Sequence, residues 1–267
     1  MEPMVGQKRG RIISVHVEHE LLLKLEKAGL TNNLAQRVIE SKNNELATKI
    51  VVRLIQNCGF EATTSQRQAR EIMGSNMFGI EESIAQFGVR PTKEQLDVLA
   101  EVPFTEDTLK ECRKTHVLVS VFPLSILDIR GRVEHELFED HADAWINGQA
   151  FANERGDASW CLIRKTPVDG STYRDWFGQQ ALLAKNEETP TTRAMTYMII
   201  GHYLTTGERL FEYVRVRCRD VDPGLGGRVS IGYSGEEGIS ISALWLDKCS
   251  DTVGVSTARK FDKVPNP

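Results

Sequence analysis

The densest run of side chains able to do chemistry is HELFEDHADAW. It brings His135, Glu136, Glu139, Asp140, His141 and Asp143 within a single short segment. Imidazoles and carboxylates at that density are the ligand types a cation takes. The two histidines are six residues apart, however, which on a helix puts them on different faces, so the run reads as a charged surface element. HVEHE, His16 to Glu20, lacks the order and register of an H-E-x-x-H zinc helix. A G-x-S-x-G nucleophile motif is missing, and Ser234 in GYSGEEG has no base beside it in sequence. GLGG at 224–227 is not followed by a helical pattern, so it is no phosphate-cradling loop. Asp222-Pro223-Gly224 supply the chemistry of a hairpin turn instead. From these runs no catalytic residue, metal site or cofactor is expected.

The five cysteines (Cys58, Cys112, Cys161, Cys218 and Cys249) are odd in number, scattered and free of any C-x-x-C pair. That spacing disfavours both a disulfide framework and a zinc site, and predicts reduced, mostly buried thiols. The chain has 267 residues, 40% hydrophobic and 26% charged, with a formal net charge of -4. This is a globular composition with enough apolar residues for real cores. The only basic cluster, Lys8-Arg9-Arg11, is too short for a nucleic-acid footprint. MEPMVGQKRG lacks the apolar core of a signal peptide, and the longest apolar run, MTYMIIGHYL, is half a membrane span and contains His202. A buried helix there, no membrane partner and a cytoplasmic location are the expectations.

The elements that must position these residues change character along the chain. Residues 1–112 read as a helical region. HELLLKLEKAGL places Leu21, Leu22, Leu25 and Leu30 near one face, with Gly29 as C-cap, and a second apolar stripe runs from Leu34 to Ile55. Ser65 with Gln68 and Thr92 with Gln95 have capping-box spacing, and GIEESIAQFGV is a short helix between Gly79 and Gly88. Near residue 116 the texture turns β-rich. HVLVSVFPLSILDIRG, interrupted by Pro123, predicts two strands or a broken edge strand. A strand at SWCLIRK, a helix over residues 172–188 and a helix with Pro190 in its first turn follow. FEYVRVRC, GRVSIGY, GISISAL and TVGVSTA then predict four strands. The expected class is α+β: a helical region over 1–112 and a mixed domain over 113–267, with the boundary at 110–116.

The stretch from Glu61 to Gly131, with SWCLIRKTPVDGST, IIGHYLTTGERLFEYVRVRC and the tail VGVSTARK, resembles a family of proteins from uncultivated bacteria of small genome size. Several of its members look like the variable proteins of diversity-generating retroelements. The resemblance covers roughly residues 30 to 261. It implies a C-terminal C-type-lectin-like domain, related to the formylglycine-generating-enzyme fold, whose ligand-binding surface is rewritten by adenine-directed mutagenesis. It also implies a fixed framework of Arg228, Val229, Ile231, Gly232, Gly238, Ile239, Ile241, Trp245, Asp247, Val253, Gly254 and the STARK end. The variable gaps would hold Ser230, Tyr233, Ser240, Ser242, Ala243, Leu244, Leu246, Cys249 and Ser250. All of these are reachable when the first two bases of AAC or AAT codons are randomised; Glu236, Glu237 and Lys248 are not. The chain departs from its relatives at Leu246 and Cys249, where they often carry aspartate and arginine. The copper chemistry of the related oxidase fold needs closely spaced cysteines, and Cys218 and Cys249 are 31 residues apart.

Residues alternate faces along a strand, so one apolar face can hold a fold while the other varies. An edge hairpin with polar outer residues would give the same alternation. The resemblance favours non-catalytic binding of a protein or other macromolecule through residues 228–251. An enzyme using residues 135–143 and a helical nucleic-acid adaptor built on residues 1–110 are the alternatives. Ligand and oligomeric state are not encoded in any motif.

Overall fold

A computed structural model describes residues 14–42, 45–56, 60–139, 143–224 and 226–262. The chain divides into two compact units, Met1–Ile55 and Gln56–Pro267. Lys8, Arg9, Arg11, Cys58, Asp140 and His141 lie outside the described residues.

The first unit holds α1 (Val15–Lys27), α2 (Asn32–Ile39) and most of α3 (Glu45–Gln56). Ser14 and Thr31 cap α1 and α2 by accepting from the Val17 and Leu34 amides, and Gly29, at φ +100°, follows the end of α1. That satisfies the first-turn donors and terminates the helix as the sequence requires. Neither α1 nor α2 buries a residue, so the leucine stripe of α1 is exposed.

The second unit begins with α4 (Thr64–Met73), β1 (Met77–Phe78), α5 (Ile80–Phe87), α6 (Lys93–Leu99) and α7 (Glu106–Cys112). The capping box of α4 is Thr63 with Gln66, not Ser65 with Gln68, because the Ser65 hydroxyl is taken by the Val102 amide. The Thr92–Gln95 box of α6 and the Gly79 and Gly88 limits of α5 are as expected. Next come β2 (His116–Val121), α8 (Ile126–Arg130), α9 (Asp143–Asn147), α10 (Ala150–Asn153) and β3 (Ser159–Arg164). β2 is a fully buried interior strand, and the segment after Pro123 is α8 rather than a second strand, because Ser125 and Asp128 close a capping box there.

The remainder is α11 (Trp176–Gln180), β4 (Glu187–Glu188), α12 (Thr192–Thr206), β5 (Arg215–Val221), β6 (Arg228–Gly235), β7 (Gly238–Leu244), β8 (Val253–Val255) and β9 (Ala258–Arg259). Pro190 precedes the N-cap Thr191 instead of entering the first turn of α12. The helix expected over 172–188 shrinks to α11, capped by Asp175, because Tyr173 and Trp176 spend their amides on tertiary bonds to the C-terminal loop.

The described residues thus form a mixed α+β protein with two mixed sheets, ordered β1-β2-β3-β9-β4 and β7-β6-β5-β8. α12 is the buried helix anticipated from MTYMIIGHYL and packs on both sheets. A Cβ at Gly201 would stand 2.9 Å from the Phe78 ring, so only glycine allows this approach. No described helix is long and apolar enough to cross a membrane.

The helices over 64–112 share this core. Trp160 Nε1 on β3 and Gln66 Nε2 on α4 both donate to the Leu99 carbonyl, at 3.0 and 2.7 Å, and β1 pairs with β2. The change of texture near 110–116 is therefore internal to one unit, and the division falls between Ile55 and Gln56. Helices whose apolar faces need the sheet for burial cannot be separated from it.

Candidate ligand-binding surface

The second sheet has two unlike faces. Val216, Cys218, Val229, Ile231, Ile239 and Ile241 form the core face, as their alternation predicted. Arg215, Arg217, Ser230, Ser240 and Ser242 alternate with them. The β6–β7 register sets Ser230 opposite Ser242 and Ile231 opposite Ile241. At Gly238, at φ +86°, a Cβ would lie 2.6 Å from the Glu136 carbonyl oxygen, which fixes glycine where the β6–β7 turn meets the preceding segment.

The polar face is covered by a second layer. Arg217 is fully buried, and its Nη1 donates to Gln179 Oε1 at 2.8 Å. Its Nη2 donates to the carbonyls of Trp245 and Lys248. Gln179, also fully buried, donates through Nε2 to the Ser171 and Val253 carbonyls at 3.0 and 3.1 Å. Burial pushes the Arg217 guanidinium below its ordinary pKa, with the charges of Cys249, Asp175 and Asp247 opposing. A planar fork with several donors suits this task, because one buried group can satisfy oxygens on several segments.

The loop over 245–252 is held by its backbone. Besides Trp245 O and Lys248 O, Leu246 O accepts from the Trp176 amide, Ser250 O from Tyr173 and Thr252 O from Arg215, each at 2.8 Å. Among the described residues, the loop's own side-chain bonds are turn contacts, such as Ser250 Oγ to Asp251 and Thr252. The side chains of Trp245, Asp247, Lys248 and Cys249 are exposed, and those of Leu246 and Ser250 are half-buried. The loop's path is set by carbonyls that every residue carries, so its anchors place little demand on side-chain identity.

This layer corrects the assignment of Ser230 and Ser240 to an outward surface. Ser230 is 0% exposed and pairs with Ser242 at 3.2 Å between hydroxyls. Ser240 is 5% exposed, and its hydroxyl accepts from Arg215 Nη2 at 2.7 Å. Strand alternation separates two faces but does not say that either meets water, and here the loop and α11 cover the second. The remaining members (Tyr233, Ser242, Ala243, Leu244, Leu246, Cys249 and Ser250) are half-buried or exposed. Tyr233 has φ +49° and lies under the Arg215 guanidinium, 4.6 Å from ring centroid to Cζ. Trp245, expected as fixed core beside Ile241, is 57% exposed, whereas Ile241 is 2% exposed.

Sequence reasoning missed Tyr173 and Phe177, both exposed on the segment that binds the loop. The signal was the aromatic-rich TYRDWF. Only Trp176 of its three aromatics turns inward, to lie 4.4 Å beneath the Arg228 guanidinium.

The other chemistry-bearing runs do not assemble. His135 is exposed in a single helical turn, and among the described residues no group of three or more His, Cys, Asp or Glu could hold a metal. His16 and His19 are exposed on α1. Ser234 is buried and donates to the Leu210 carbonyl. Asp222 accepts from the Gly224 amide at 2.8 Å, building the hairpin turn expected there. Burial pushes the thiols of Cys112 and Cys161 up to about 11 and raises that of Cys218 too. Cys218 lies on the core face and Cys249 in the exposed loop.

The fold and surface describe a mixed α+β protein presenting an exposed loop on a buried polar layer. No family model matches the chain, and no curated protein or solved structure matches it either.

Proposed function

We propose that this chain is a non-catalytic binding protein of the diversity-generating-retroelement kind, C-type-lectin-like in its larger unit. It engages a protein or other macromolecule through Tyr233, Ser242, Ala243, Leu244, Leu246, Cys249 and Ser250, flanked by Trp245, Tyr173 and Phe177. The observation that carries this reading is the fastening of the 245–252 loop through its own carbonyls by Arg217, Trp176, Tyr173 and Arg215. Such a loop keeps its path while its side chains change, which is what a rewritable surface needs. Tyrosine and tryptophan give paratopes contact area at low entropic cost, and serine gives adaptable hydrogen bonding. Ser230 and Ser240 belong to the supporting layer.

The flanking DNA tests this directly. Adenine-directed rewriting leaves third-position pyrimidines, so the codons of Tyr233, Ser242, Ala243, Leu244, Leu246, Cys249 and Ser250 are expected to end in C or T. A near-copy of this segment, reading AAC or AAT at most of those codons, and a reverse-transcriptase gene are expected nearby. Purine-ending codons and no repeat in a complete genome would overturn the retroelement reading.

A further inference from the structure

We propose that a cleft remote in sequence from the C-terminal surface binds a small organic phosphate. The cleft has a volume of about 530 Å³, and its lining includes Arg90, Gln95, Asp128, Arg132 and Arg155 together with Pro123. That volume is within the range of small-molecule sites and exceeds what inorganic phosphate alone would fill.

The hydrogen bonds decide which ligand charge fits. Asp128 is the sole carboxylate of the lining, and both of its oxygens are engaged. Arg155 Nη2 and Nε donate to Oδ1 and Oδ2 at 3.0 and 2.8 Å, and the Ser125 amide donates to Oδ2 at 2.9 Å. The donors are not used up. Arg90 is exposed and makes no hydrogen bond or ion pair with the described residues. Gln95 commits its Oε1 to the Thr92 amide, which leaves its NH2 group. Arg132 uses Nη1 on the Phe87 and Gly88 carbonyls, at 2.7 and 3.3 Å, so its charge meets no carboxylate there. Three guanidinium groups against one carboxylate leave a net charge of +2 in the lining.

A cleft whose one carboxylate is engaged and whose guanidinium and amide donors are spare selects an oxyanion. Guanidinium groups match phosphate geometry with paired donors, which favours phosphate over a point-like anion. The Arg132 bonds hold the end of α5, and the Arg155–Asp128 pair holds the start of α8, so the walls are positioned before a ligand arrives. The half-buried Pro123, with the edges of the largely buried Phe122 and Leu124, leaves a small apolar patch for an organic group ester-linked to that phosphate.

Isothermal titration of the full chain with phenyl phosphate and with inorganic phosphate, at low salt, tests the site. Phenyl phosphate is expected to bind more tightly than inorganic phosphate. Arg90→Gln is expected to weaken it by about tenfold or more, as the loss of a charge-assisted contact should. Lys114→Gln, a surface charge outside the cleft, is expected to leave affinity unchanged. Both substituted residues are exposed, and matching thermal melts would confirm that each variant folds. No binding of phenyl phosphate, equal affinity in Arg90→Gln, or inorganic phosphate binding as tightly would overturn the proposal.

Discussion

At the residue scale, Arg217 and the loop side chains should respond in opposite ways. Arg217→Met removes the donor shared by Gln179, Trp245 and Lys248, leaving the buried Gln179 Oε1 and two partly buried loop carbonyls unmet. The expected cost in urea unfolding is about 3 kcal/mol, and Arg217→Lys should recover little of it, since one ammonium lacks the guanidinium's planar fork. Ile241→Ala should cost about 2–5 kcal/mol as a core truncation. Leu246→Asn, Cys249→Asn and Trp245→Ala should each stay near 0.5 kcal/mol, as accessible positions do. Equal sensitivity of the two sets would contradict the division into buried layer and open loop. The inward places of Ile239 and Ile241 were legible because apolar alternation reports a face. The burial of Ser230 and Ser240 was not, because nothing local in their strands says that Arg217 and Gln179 would bring a loop across that face.

At the element scale, local chemistry was readable where the partner lay close in sequence. The Thr92–Gln95 box, the glycine limits of α5, β3 and the β6–β7 hairpin all formed as read. Ser65 and Gln68 had the right spacing, but Ser65 was claimed by Val102, 37 residues away, and Thr63 with Gln66 took the cap. Thr63→Ala should therefore destabilise by about 1 kcal/mol and Gln68→Ala by much less, compared by thermal melts. A larger effect of Gln68 would restore the box anticipated from spacing. The helix over 172–188 failed for a similar reason, since the amides of Tyr173 and Trp176 serve the C-terminal loop. The exposed aromatics flanking the candidate site were hidden by that same misreading.

At the scale of the whole molecule, the shared core makes the division at 55/56 testable. A fragment spanning 56–267 should unfold cooperatively, whereas one spanning 113–267 should not, because it loses Phe78 and the Leu99 carbonyl that Trp160 and Gln66 use. Cooperative melting of the shorter fragment would place the boundary where the composition changes. Acid should also weaken the larger unit. Burial, then the nearby Arg164 and Arg259 charges, pushes His116 from 6.5 down to about 4. Between those values the unfolded chain binds the proton more readily, so stability is full above the unfolded value and falls as pH drops toward the folded one. The loss from this histidine is at most about 3 kcal/mol, and His116→Gln should flatten the pH profile in that window. Glu208 is lowered chiefly by its bond to His202, with Lys165 adding to it, so it contributes stability that is lost at still more acid pH. A profile for His116→Gln identical to that of the parent would assign the acid loss to other groups.

The central claim, that a fixed buried layer carries a freely rewritten binding surface, is tested most directly by a displayed library. Leu246, Cys249, Ser250, Ala243, Leu244 and Tyr233 would be randomised together, displayed and selected against unrelated proteins. The account predicts that most clones fold, with Tm shifts of about 5 °C or less. It also predicts that selections on different targets return different residues at the randomised positions. Loss of folding in most clones, or binding that survives only with the parental residues, would contradict it.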